Sequence, residues 1–129
     1  RLYRQHYQPG YEQRPYSAVA LFVICADTEQ EALDLSGAVD LRRLYQAYGL
    51  NAPIPGVARA RAMQYSQRDL EIIASEQARS IIGTPESVAA HMNELKDQFA
   101  ADELVVLTVA ASYKARLRST ELLAGCFNK

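Results

Sequence analysis

Two arginines beside a proline-rich turn, Arg59 and Arg61, have the chemistry that is easiest to state from this sequence. A guanidinium offers a planar fork of N–H donors that matches phosphate or carboxylate, so the pair could meet a phosphate or an acidic substrate group. The plainer reading is solvation, because they are two of 14 basic residues and sit in a loop. Hydroxyls and one carboxylate form a second set: Asp27 and Thr28 ahead of Glu29 and Glu31, Thr84 ahead of Pro85-Glu86, and Thr108 and Ser112 after an apolar run. Side chains of these types accept from the free N–H groups of a first helical turn. Capping is therefore the first reading for Asp27, Thr28, Thr84 and Ser112, and ligand contact the second. Thr108 is a candidate for a pocket mouth. His6 and His91 lack a second histidine or carboxylate at ligand spacing, so no metal site is expected. Cys25 lies in an apolar run and reads as a small core residue, and Cys25 and Cys126 as isolated thiols rather than a disulfide framework. No Ser-His-Asp set, Cys-His pair, paired-carboxylate site, glycine-rich phosphate loop or dinucleotide fingerprint is found.

Apolar patterning supplies the elements that must hold these residues. Leu2, Tyr3 and Tyr7 suit a helix end stopped by Pro9-Gly10. Four of the eight tyrosines fall in residues 1–16, a cluster that suits a core edge or an oligomer contact. Val19 and Leu21 to Cys25 make a near-continuous apolar run, the mark of a strand covered on both faces; its span is read as 18–27. A helix follows from Asp27 or Thr28 to Gly49. Residues 50–60 carry two prolines and a glycine and read as loop, and 67–79 as a helix with Leu70, Ile72 and Ile73 inward. A short strand is expected over 80–83, a helix over 85–99 with Val88, Met92, Leu95 and Phe99 on one face, and a second buried strand over 104–109. Ser112 then opens a last helix that turns Leu117, Leu122 and Leu123 inward. Strands alternating with helices make an α/β class with a parallel sheet.

Bulk properties narrow the function classes. At 129 residues the chain is one domain at most, and 49% hydrophobic with 22% charged residues describes an ordinary globular protein. A net charge of −1 gives no electrostatic case for nucleic acid or an anionic membrane. No apolar run approaches the roughly 20 residues of a transmembrane helix, and the expected compartment is the cytoplasm. The sequence opens at Arg1 without an initiator Met or a signal-like segment, so an upstream part is expected to be missing.

Five segments, in order, resemble the C-terminal part of the bacterial luciferase-like flavin-dependent monooxygenases. Tyr3-Arg4-Gln5-His6-Tyr7-Gln8-Pro9 is similar to the family's helix end before the sixth strand, and Ala26-Asp27-Thr28-Glu29-Gln30-Glu31-Ala32 to the turn after it. Ile82-Gly83-Thr84-Pro85-Glu86-Ser87-Val88 resembles the seventh strand and helix start. Ala101-Asp102-Glu103-Leu104-Val105-Val106 and Ala115-Arg116-Leu117-Arg118-Ser119 resemble the eighth strand and helix. The resemblance implies that residues 1–129 are a C-terminal half-barrel fragment, about three βα units of a (β/α)8 TIM barrel.

It implies further that the complete protein oxidises a small organic substrate with reduced FMN and O2, or works with a related deazaflavin. Most flavin contacts of the family would lie upstream, with Thr84 and Thr108 the remaining cofactor candidates and no catalytic residue assigned. The family's segment before the seventh strand closes over the flavin site, which makes Pro53, Ile54, Pro55 and Gly56, with Arg59 and Arg61, lid candidates. The fragment alone is expected to be inactive. It is also expected to leave an apolar sheet face exposed, and so to form a homo-oligomer or pair with the missing N-terminal half. The alternative is a non-catalytic α/β binding or oligomerisation module.

Overall fold

The structure, a computed structural model, describes residues 2–127; Arg1, and with it the expectation of an upstream part, lies outside the described residues, as do Asn128 and Lys129. The elements run α1 (Leu2–Gln5), β1 (Ala18–Cys25), α2 (Glu29–Ala47), α3 (Val57–Ala62), α4 (Gln67–Gln77), β2 (Ser80–Gly83), α5 (Pro85–Phe99), β3 (Glu103–Leu107) and α6 (Tyr113–Phe127). Local chemistry explains their ends. Thr28 caps α2 by accepting from the Glu31 N–H at 3.2 Å, with Glu29 and Glu31 in the first turn where the helix dipole favours anions. Ser66 and Asp69 form a reciprocal capping box on α4. Pro85 opens α5, where its missing N–H costs nothing.

The three strands are parallel and lie in the order β2-β1-β3. The carboxyl half of β1 pairs with β2, Cys25 opposite Gly83, and its amino half pairs with β3, Ala18 opposite Glu103. The chain therefore leaves β1 in one direction to reach β2 and crosses back past it to reach β3. Right-handed crossovers then put the two connections on opposite faces of the sheet. On one face Val23 and Cys25 pack with Ile81, Val88 and Met92, and with Leu123 of α6. On the other, α2 joins α3 and α4 through Ala38, Leu41, Leu44 and Ala60.

This arrangement corrects the barrel expectation. Three successive barrel strands would run in chain order, with the second flanked by the first and third. Here the first strand is central, the sheet is open, and helices cover both faces, so the chain forms an open doubly wound α/β unit rather than three staves of a TIM barrel. A second correction concerns β3. It was expected to be a buried strand, yet Val105, Val106 and Leu107 are exposed, because the helices pack over β1 and β2 rather than over β3. Leu70 and Leu117 are likewise exposed rather than inward, and Phe99 is exposed although Val88 and Met92 of its face are buried. Residues 57–60, read as loop, form α3 together with Arg61 and Ala62.

Candidate functional site

In an open parallel sheet, ligands bind beyond the carboxyl ends of the strands, at the point where successive connections diverge. Here that point lies between β1 and β3. As β1 ends, the Ala26 N–H donates to the Gly83 carbonyl at 3.1 Å, which aligns the two strand ends. Asp27 then emerges and takes a two-pronged grip from α6: Arg118 Nε donates to Oδ2 at 2.9 Å and Nη2 to Oδ1 at 2.6 Å. Those bonds hold the Asp27 carboxyl below its ordinary range and raise the guanidinium above its own. Arg118 Nη1 also reaches Glu121 at 3.5 Å. Ser112 caps α6 by accepting from the Ala115 N–H at 3.1 Å. Asp27, Glu31, Ser112, Lys114, Arg118 and Glu121 line a groove of about 660 Å³ at this edge.

A second polar cluster joins the starts of α2 and α5. The Glu29 carboxylate accepts from the Thr84 N–H and from the Ser87 hydroxyl, each at 3.2 Å. Ser87 also lies 3.1 Å from the Thr84 carbonyl, and the Thr84 hydroxyl donates to Ser87 at 3.3 Å. Thr84 thus holds the N-cap position of α5 without capping it through its side chain; Glu29 from another helix satisfies its N–H instead. Gly83 is required here, since a Cβ would fall 2.3 Å from Ser87 Oγ.

The structure brings some of the sequence candidates together and separates others. Asp27, Thr28 and Ser112 gather at the carboxyl edge, two of them as caps. Thr108 lies elsewhere, in a groove of about 440 Å³ between β3 and α6 with Val106, Arg116 and Phe127. The Pro53–Gly56 turn is clipped to α2: Arg42 Nε donates to the Ala52 carbonyl at 2.6 Å, Ile54 packs on the Leu41–Leu44 cluster, and Pro55 is buried. Arg61 is engaged by Asp34 in a two-pronged ion pair, while Arg59 is exposed. His6 and His91 are exposed, and no group of three or more metal-ligating side chains forms among the described residues. Cys25 is buried, its N–H donates to Ser119 Oγ at 3.0 Å, and burial pushes its thiol up to about 11. It acts as core.

The tyrosine-rich start lies against the amino ends of β1 and β3. Tyr16 donates to Glu103 at 2.7 Å, and Arg4 pairs with Asp102 at 2.5 Å. Arg118, Glu29 and Ser87 were missed as site residues. Arg118 stands 91 positions from the aspartate it grips, a separation that carries no local signal.

The class these features define is an open α/β unit with a polar groove at its switch point. No family model matches the chain. Two relatives come from Bacillus subtilis (strain 168), both described as uncharacterized. YwcH is 33% identical over 131 residues and YceB 31% over 128, each covering 98% of this chain and 39% of the relative. Among solved structures, that of apo-MsnO8 matches with a TM-score of 0.87 at 26% identity, over 98% of this chain and 39% of that one. The likeness takes in nearly the whole of this chain. The chain spans about two-fifths of the length of the curated relatives it matches. No described helix is long and apolar enough to cross a membrane.

Proposed function

We propose that the chain is part of a flavin-dependent oxidoreductase similar to the bacterial luciferase-like monooxygenases, one that acts with reduced flavin and O2 on a small organic substrate. One observation carries this reading. Three of the segments that resemble the family converge at the carboxyl edge of the sheet, where Asp27 meets Arg118 and Glu29 meets Thr84 and Ser87. The ion pair fixes α6 against the end of β1, and the Glu29 cluster fixes α5 against α2. Together they hold a polar groove in the position where α/β sheets bind ligands.

The residues of the groove do not by themselves fit the phosphate of FMN. Asp27, Glu31 and Glu121 face Lys114 and Arg118, and Arg118 is already engaged by two of those acids. An added dianion would meet more negative than positive charge. No step through the flavin is therefore derived from this chain, which on this reading supplies part of the wall of a site and is inactive alone. A deazaflavin meets the same objection.

The reading is tested by flavin fluorescence. The 129-residue chain should leave FMN fluorescence unquenched. The longer polypeptide that contains it should quench the flavin and consume O2 when given reduced FMN. A longer polypeptide that does neither overturns the reading. A second reading, a non-catalytic module working in the cytoplasm by self-association, draws on the exposed apolar edge of β3. Oxygen consumption by the longer polypeptide separates the two.

A further inference from the structure

A cavity of about 250 Å³ lies on the sheet face opposite α5 and α6, away from the groove described above. Its apolar lining comes from Phe22, Val39, Ile54 and Val109, and its polar lining from Arg42, Arg43 and Arg79 with Gln46 and one acid, Glu76. Three guanidinium groups around one small cavity repel one another, so what holds them there matters. Arg42 donates to the Ala52 carbonyl at 2.6 Å. Arg43 donates to Ser80 Oγ at 3.2 Å and lies over the Phe22 ring, 5.7 Å from its centroid. Arg79 pairs with Glu76 at 2.6 Å, and Arg43 lies 3.8 Å from Asp40. A neutral acceptor alone positions Arg42, and its charge is left uncancelled.

The next acid is Asp40, beneath Arg43. Asp40 is 3% exposed and accepts from Gln77 and Ser36, but its Oδ1 has no hydrogen-bond partner and stays 3.8 Å from Arg43. Burial favours its neutral form. Three guanidinium groups against the carboxylates of Glu76 and Asp40 leave a surplus of positive charge beside an apolar, partly aromatic wall. Its volume falls just below the roughly 300–1,000 Å³ of drug-sized sites.

We propose that this cavity is a binding site for a small organic carboxylate carried on an apolar or aromatic body, the carboxylate met by Arg42, Arg43 and Arg79 and the body laid against Phe22, Ile54 and Val109. A guanidinium cluster selects the planar anion, and the apolar wall rejects fully hydrated ions such as acetate. The site stands independently of the flavin reading.

The test uses benzoate as probe and benzyl alcohol as its uncharged counterpart, each titrated into the full chain while amide resonances are followed by NMR. Benzoate should shift the amides of Phe22, Arg43, Arg79 and Val109 in a saturable way, and benzyl alcohol at equal concentration should not. Arg79 is exposed, so Arg79→Gln leaves the fold in place, as its thermal melt would verify. It should weaken benzoate roughly threefold to tenfold. Arg42→Gln gives an independent second variant with the same expectation. Equal shifts from benzyl alcohol, shifts confined to other residues, or unchanged affinity in both variants would each overturn the proposal.

Discussion

Gly83 shows how tightly single residues are constrained where β2 hands over to α5. Its φ is +157°, and a Cβ would lie 2.3 Å from Ser87 Oγ and 3.2 Å from Glu29 Oε1. Gly83→Ala must therefore displace the Ser87 hydroxyl and loosen its contacts with Thr84 and Glu29. The expected cost is roughly 1–3 kcal/mol in chemical denaturation, with part recovered by adding Ser87→Ala. A loss of only a few tenths would show the contact to be easily relieved. Cys25 makes a contrasting case. Its thiol is buried and its ionisation pushed up to about 11, so a thiol reagent at neutral pH should label half-buried Cys126 first and reach Cys25 only on unfolding. Mass mapping of the labelled native protein decides it. Prompt labelling of Cys25 would mean that the β1 face opens.

The packing of helix on helix carries an opposed pair of pH effects. Asp40 of α2 is buried against Gln77 of α4, and burial raises its ionisation above the ordinary carboxylate value. A group raised in the fold stabilises below its unfolded pKa and loses that contribution as pH rises through the folded one. Asp40→Asn keeps the size and the bond from Gln77 but cannot ionise. Its stability should match the wild type near pH ~4 and exceed it at neutral pH, as urea midpoints across pH would show; parallel curves would contradict the assignment. Asp27 behaves in the opposite sense. Arg118 lowers its ionisation, so the α6 tether is present above the ordinary carboxylate value and is lost as pH falls through the folded one. Element boundaries were readable because they rest on local chemistry: Thr28, Ser66 and Pro85 announce α2, α4 and α5 within a turn. The tethers were not, because Asp27 and Arg118 are 91 positions apart. The Pro53–Gly56 turn looked free for a related reason: the Arg42 bond and the burial of Pro55 that pin it are tertiary.

Strand order is the property of the whole molecule that the sequence could not show. An apolar run such as Leu104–Val109 reports that a strand avoids water, not which neighbour covers it. With β1 in the centre, β3 became an edge, and the helices lie over β1 and β2, so Val105, Val106 and Leu107 are exposed on successive positions and thus on both faces. The usual protections of an edge are a proline, an inward charge, a bulge or a lysine, and residues 104–107 contain none of them. Glu103 is the one charge on the strand, and it is engaged by Tyr16. Parallel pairing already occupies the inner side of β3, so its outer row of N–H and C=O groups is open to a second copy. The chain should accordingly self-associate at micromolar concentration. Val105→Lys, which puts a charge in the middle of the edge and touches no buried contact, should shift the equilibrium toward monomer without lowering the thermal midpoint of the monomer. Sedimentation velocity over a concentration series reads both forms. A wild-type chain that stays monomeric across the series would show that the apolar edge is tolerated in water, and would remove the support for a self-associating module.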